Sequence, residues 1–344
     1  TAFGKSSLEA NTTAVNNTAV GFSALKANTT GAQNVAIGAS AACSLTTAGS
    51  VTVIGHNAFS ASTTGGETVA IGDNAMECNT TGCRNVAIGN GTMFKNTTGK
   101  CNTAVGRIAL YNNSTGCYNT AFGHAALNAS TTGAYLTGLG NGAGFYNTTG
   151  SYNTSVGHEA GCANTTGAEN TSFGYLASKC GTTGNYNTSI GASAGCSLTT
   201  GSHNVFLGHI AGRVGSPATV TTGSGQVVIG SNSVTNSYIK VDWTVTSDLR
   251  DKTQIEDIPH GLDFVNQLNP IKYKFKKSRD DDTPQGDIKY GFGAQDILAL
   301  EGDNPVIINN KQDDILKMTN AHLIPVLVNA IKELKAEIDE LKKG

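Results

Sequence analysis

NTAVGFSALKANTTGAQ, Asn17 to Gln33, is one copy of a unit that fills more than half of the chain. Its glycine, Gly21, follows an apolar residue, Val20. The same pairing returns at Gly4, Gly38, Gly55, Gly72, Gly89, Gly106, Gly123, Gly140, Gly157, Gly174, Gly191 and Gly208, always 17 residues apart. These 13 units run without insertion, and most carry a second glycine ten residues after the first, from Gly31 to Gly201. The residue before the first glycine is Val, Ile, Leu or Phe throughout. Three residues after that glycine stands Ala in 11 units, with Ser7 and Thr92 as the exceptions.

A fixed period of this kind is the mark of a repeat architecture. Seventeen residues are too few for a pair of helices, whereas short β-prone runs between Asn-Thr-Thr-Gly turns read as strands. The unit suits one coil of a parallel β-solenoid, with two short strands and two turns. A single coil cannot bury its apolar side chains; stacked coils bury them against one another and pair their backbones. At about 4.8 Å per rung the repeats make a rod of roughly 60 Å. The period predicts Val20, Ile37, Ile54, Ile71 and Ile88 in one interior column. The first glycine is expected where φ is positive or another backbone comes close. Asn17, Asn34, Asn85, Asn102, Asn119, Asn153, Asn170, Asn187 and Asn204 share one register and are expected to form a side-chain ladder. One Val, Ile or Phe per coil is a thin core for an isolated solenoid, which favours several chains packed around one axis.

Composition agrees with an inert rod followed by something different. Net charge is −2 over 344 residues, so no global field points to nucleic acid or a membrane surface. No apolar run reaches the roughly 18–20 residues of a membrane span. Residues 1–212 hold 7 Lys/Arg and 6 Asp/Glu, against 16 and 19 in residues 213–344. All eight cysteines lie before residue 213, at spacings that fit neither a zinc pair nor a compact disulfide scaffold; small half-buried fillers are the expected role, with one Cys83–Cys101 disulfide conceivable. Nothing in the chain calls for a metal or a cofactor. The first residue is Thr1, as in a fragment or processed product.

The register breaks after Gly212. Residues 213–246 read as a transition, with one late rung at Gln226-Val227-Val228-Ile229-Gly230 and an alternating strand from Ser237 to Thr246. Residues 247–344 then have the composition of a small α/β domain. It opens on Ser247-Asp248-Leu249-Arg250-Asp251-Lys252 and continues through Leu268-Asn269-Pro270-Ile271-Lys272-Tyr273 and Gly291-Phe292-Gly293-Ala294-Gln295. It closes on a helix with the motif Leu327-x-x-Ala330-Ile331-Lys332-Glu333-Leu334, in which Ile324, Leu327, Ile331, Leu334, Ile338 and Leu341 alternate spacings of three and four. That alternation is the a/d seam of a coiled coil. Thr319 is a candidate N-cap, and Pro325 falls in the first turns, where it is tolerated.

The repeats resemble the heads of trimeric autotransporter adhesins, which implies a β-roll packed as a trimer, although that family's usual unit is shorter than 17 residues. Residues 247–344 resemble the intramolecular chaperone of endosialidase-type phage tail spikes and fibres through the four motifs just quoted. That resemblance implies a domain that trimerises, guides folding of the fibre before it and then cuts itself off. The cut is implied between Thr246 and Ser247, with Ser247 as nucleophile and Lys252 as base. Without relatives, a serine and a lysine five residues apart are ordinarily two solvated side chains. The chemistry requires a base within hydrogen-bond reach of the hydroxyl and a lysine whose pKa is lowered by burial or nearby cations. Trimer closure would supply the burial; Arg250 and Lys272 are candidate cationic neighbours.

The expected whole is a mostly β, trimeric parallel β-solenoid with a small α/β chaperone ending in a coiled-coil helix. The expected role is a structural and adhesive fibre of a phage tail or related particle, assembled in the host cytoplasm. Expected partners are two further copies of the chain, upstream particle proteins and a host cell-surface receptor, a glycan among the candidates. A bacterial surface adhesin is the alternative, placing the chain outside the cell. A glycan-degrading tail spike ranks below both, because so few acids in the repeats leave no carboxylate pair across a cleft. Any peptidase activity would be a single self-cleavage, without turnover on added peptide.

Overall fold

The computed structural model describes residues 1–240, 247–278, 280–310 and 316–343, with Ser278 described by its backbone alone. It divides into two units, Thr1–Ser231 and Asn232–Gly344. Among the described residues no helix is long and apolar enough to cross a membrane.

The first unit is a parallel β-solenoid. Each coil contributes one short strand, from β1 (Ala2–Phe3) to β14 (Val227–Ile229), and these pair in chain order as a 14-stranded sheet. The register is the sequence period: Ala19 opposite Ala36, Val20 opposite Ile37. The late rung keeps it, since Val205 pairs with Val227 and the surplus residues around Pro217 leave as a loop.

The second strand expected in each coil is replaced by a different backbone. After Gly21 the chain places Ser23 at φ 57° and Leu25 at φ 49°, and the pattern recurs in later coils. Left-handed non-glycine residues cost about 1–2 kcal/mol each. The coils offset this with amides that still cross between rungs: the Ser23 N–H donates to the Lys5 carbonyl at 2.9 Å and that of Leu25 to Ala41 at 3.0 Å.

The core explains a second departure. Val20, Ile37, Ile54, Ile71 and Ile88 do lie in one register column, but it faces outward in the single chain: Ile37, Ile54 and Ile88 are 37–38% exposed. Alternate residues of a strand point to opposite faces, and in these coils the middle residue takes the inside. Ala19, Ala36, Val53, Ala70, Ala87 and Ala104 are fully buried there. The Ala three residues after the glycine is buried as expected, for example Ala24, Ala41 and Ala58. The large core side chains come from the next position, which the repeat pattern did not single out: Leu25, Phe59, Met76, Met93, Leu110 and Leu127. Past Leu136 that position becomes Gly144, Gly161, Ser178 and Gly195, and the coils enclose a small polar cavity beside Ser155 and Ser172.

Two ladders of buried amides run beside this core. In the first, which the register predicts, the Asn102 side-chain oxygen accepts from the Asn119 backbone N–H at 2.9 Å while its amide donates to the Gly116 carbonyl at 2.8 Å. The second ladder was not anticipated. There Asn96 donates to Asn79 at 2.7 Å and Asn113 to Asn96 at 2.8 Å, and each also reaches the glycine three residues on. The first glycine of the repeat is required by both conformation and space. Gly106 sits at φ 134°, and a Cβ there would lie 2.4 Å from the Gly123 carbonyl oxygen of the next coil.

The second unit is a small α/β arrangement. Helix α1 (Leu262–Asn266) leads into an antiparallel hairpin of β15 (Pro270–Ser278) and β16 (Asp281–Phe292). Helix α2 (Ala294–Glu301), the short pair β17 (Ile308–Asn309) and β18 (Lys317–Met318), and helix α3 (Leu323–Leu341) follow. Phe264, Ile297, Ile307, Ile308, Leu323 and Val326 form its core. Thr319 precedes a short 3-10 turn, Asn320–His322, without a side-chain cap bond, and Pro325 sits in the first turn of α3. Helix α3 carries two faces. Leu323, Val326 and Ala330 are buried, whereas Ile331, Leu334 and Ile338 of the heptad pattern are 41–65% exposed.

Candidate functional site

The motif Ser247 to Lys252 is built around one turn of 3-10 helix, Leu249–Asp251. Asp248 begins it in an extended conformation, its carboxylate accepting the Arg250 N–H at 2.9 Å. The Lys252 N–H closes the turn on the Leu249 carbonyl at 3.2 Å. Satisfying the free N–H at the start of a helical turn is the ordinary work of an Asp cap. The result is a chain reversal that carries the Lys252 side chain back over Ser247. Lys252 Nζ donates to Ser247 Oγ at 2.9 Å and to the Ser247 carbonyl at 3.1 Å.

The charges around this pair differ from the expectation. Arg250, a candidate neighbour for Lys252, is engaged with Asp248 through Nε at 3.1 Å and through a terminal nitrogen at 2.5 Å. The Arg250 guanidinium holds the Asp248 carboxyl below the usual carboxylate range, and the carboxylate raises Arg250 in return. Lys272 lies in β15, and among the described residues it makes no hydrogen bond with Ser247 or Lys252. Both members of the pair are exposed in the single chain. Thr246 and Val241–Val245 of the expected stem strand lie outside the described residues. Ser237–Lys240, the described start of that segment, form no strand, and Tyr238 is 92% exposed. Asp248 was not singled out as a site residue from sequence; an acid ahead of a short polar turn was the available signal.

A hydroxyl in contact with a lysine amine can attack a carbonyl once the amine is neutral and able to take the proton. The neighbouring carbonyl on the N-terminal side of Ser247 is the nearest one for such an attack in covalent terms. The eight cysteines are free thiols. Cys83 and Cys101 meet only through their backbones, the Cys101 N–H donating to the Cys83 carbonyl at 3.1 Å.

Residues 247–304 match the Peptidase_S74 family model, described as the chaperone of endosialidase. The curated proteins and the solved structures compared give no match. The C-terminal region therefore carries a segment similar to the chaperone of endosialidase, following in sequence a β-solenoid of 17-residue repeats. The match begins at Ser247 and ends before α3.

Proposed function

We propose that this chain is a homotrimeric fibre subunit of a phage tail or related particle. Residues 1–212 form the adhesive shaft, 213–246 the stem, and 247–344 a chaperone that trimerises the fibre and then releases itself. Ser247 acts as the nucleophile on the Thr246 carbonyl and Lys252 as the base. The observation that carries this reading is the 2.9 Å contact between Lys252 Nζ and Ser247 Oγ at the first residue of the matched segment.

In the reaction Ser247 Oγ bonds to the Thr246 carbonyl carbon and Lys252 accepts the hydroxyl proton. The Thr246–Ser247 amide breaks as its nitrogen leaves with a proton, and the chain is joined through an ester. Water then hydrolyses that ester, giving a carboxylate on Thr246 and restoring the Ser247 hydroxyl. A lysine amine takes up a proton only in its neutral form, which burial away from water favours, so cleavage reports completed trimers.

Two surfaces support assembly. The outward face of the solenoid sheet presents Ile37, Ile54, Ile88, Phe122, Phe173 and Ile190 in one column along the rod. Each chain has its own core, and bringing three such faces together buries the outward column in addition. The exposed heptad face of α3 offers the second contact, because an a/d stripe buries itself only against another helix. A host receptor and upstream particle proteins complete the set of partners.

Intact mass spectrometry tests the cleavage. Wild-type protein is expected to yield residues 1–246 and 247–344, the second beginning at Ser247. Ser247→Ala and Lys252→Ala are each expected to give an uncleaved chain that still folds. An intact Thr246–Ser247 bond in assembled wild-type trimers after long incubation would refute the proposal.

A further inference from the structure

One column of the solenoid is occupied by side chains that its backbone does not favour. The position one before the ladder register, from Asn16 to His203, has φ between 52° and 63° in every coil. Asn tolerates that region; a bulky aromatic there is uncommon. Yet the column reads Asn16, Gln33, Ser50, Glu67, Arg84 and Cys101, and then turns to Tyr118, Tyr135 and Tyr152, with Tyr186 after Glu169. The repeats contain no tyrosine before Tyr111.

Neither the core nor the chain's own hydrogen bonding accounts for these residues. All four are 50–58% exposed. Tyr118, Tyr135 and Tyr152 stack in offset fashion at 5.1 and 5.0 Å between centroids, their planes within 6°. Among the described residues their hydroxyls, and that of Tyr186, have no partner within the chain. Strain retained where the fold does not require it points to a function. A contact between copies of the rod would recur along its length, but the first six coils do without an aromatic at this position.

We infer that Tyr118, Tyr135, Tyr152 and Tyr186 form a contact line for an uncharged, linear oligosaccharide lying along the rod. The line is one residue wide, its rungs advance by about the length of one sugar, and its phenols present an apolar edge together with an unused hydroxyl. Glu169 interrupts the line between Tyr152 and Tyr186; the column beside it, with Cys117, Ala134, Ser151, Ala168 and Asn185, is small and uncharged, which admits a hydroxyl-rich chain and offers no cation to an anionic one. A protein partner is less suited, since protein contacts concentrate on a compact cluster set in pockets. This rests on reading the repeats as the adhesive part of a fibre.

The test uses the full-length chain on a printed panel of neutral hexose and N-acetylhexosamine oligosaccharides, with sialylated and sulfated counterparts and a deglycosylated protein surface. The wild type should be retained on at least one neutral oligosaccharide. A triple variant, Tyr118→Asn, Tyr135→Asn and Tyr152→Asn, should lose at least tenfold in binding while keeping its oligomeric state and an equal or higher melting temperature, because Asn suits the left-handed backbone. Equal binding by the variant would overturn the site and leave adhesion elsewhere on the rod intact. Retention only on charged sugars or on protein would overturn the ligand class. No retention on any surface would remove the site and the adhesive reading together. A variant that melts lower or fails to assemble would assign the tyrosines to packing and overturn the inference.

Discussion

Replacing Asn102 by Ala tests whether the buried amides hold the coils together or merely fill space. Two bonds are lost, from the Asn119 N–H at 2.9 Å and to the Gly116 carbonyl at 2.8 Å. The Asn119 N–H is then buried without an acceptor, which costs about 1–3 kcal/mol. The Gly116 carbonyl keeps the Asn113 amide at 3.1 Å, so its loss is the ordinary net bond of about 0.5–1.5 kcal/mol. The sum is about 1.5–4.5 kcal/mol by these magnitudes. Asn113→Ala is the informative comparison. It strips the Asn96 oxygen of its donor and the Gly116 carbonyl of one of its two, but it also removes the Asn113 oxygen, which is already buried without a partner. The two effects offset, leaving about 0–2 kcal/mol. Native-state amide exchange followed by mass spectrometry over residues 103–120 reads the difference. Amides near Asn119 should exchange roughly 12- to 1,600-fold faster in the Asn102 variant, at tenfold per 1.4 kcal/mol, and much less so in the Asn113 variant. Equal exchange in the two variants, or less than a tenfold change in the first, would refute this account of the ladder.

Other outcomes follow from the same structure. Leu334→Asp should prevent trimer formation, checked by light scattering on uncleaved protein; an unchanged trimer mass would show that the α3 seam is not the assembly contact. Gly106→Ala should disrupt the coil locally, because the new Cβ meets the Gly123 carbonyl at 2.4 Å and φ stays at 134°; an unchanged melting curve and unchanged protease resistance would contradict this. Burial, with the Glu159 carboxylate second, pushes the Cys162 thiol above the ordinary thiol range, and burial does the same to Cys196. A raised pKa leaves little thiolate near neutrality, so alkylation of both should be slow at pH 7 and still climbing past pH 9. A rate already level at pH 8 would count against it.

The period of 17 was open to direct reading, and with it the parallel register, the glycine column and the first amide ladder. The direction in which each column faces was not. A strand of three residues contains too little alternation to declare an inside, and size misleads. Val20 and Ile37 are larger than Ala19 and Ala36, yet the interior of so narrow a coil takes the alanines. Leu25, Phe59 and Met76 enter the core through left-handed backbone, which the side-chain identities do not announce. At the junction, the pairing of Ser247 with Lys252 was expected from resemblance. The turn that accomplishes it was not read, because Asp248 draws Arg250 to itself and leaves Lys252 to the serine.

The paired coils bear on how such a gene can change. Each rung bonds to the one before and the one after through the same atoms, so any rung is a valid neighbour for any other. Duplication or loss of 17 codons, as unequal recombination between near-identical repeats produces, alters the reach of the fibre by one step of about 4.8 Å and leaves every ladder closed. An insertion of another size throws the downstream columns out of register unless the surplus is expelled from the stack, as it is around Pro217, where Val205 still finds Val227. Length can thus be adjusted one coil at a time, and the Ser247–Lys252 turn follows later in the sequence whatever the number of coils.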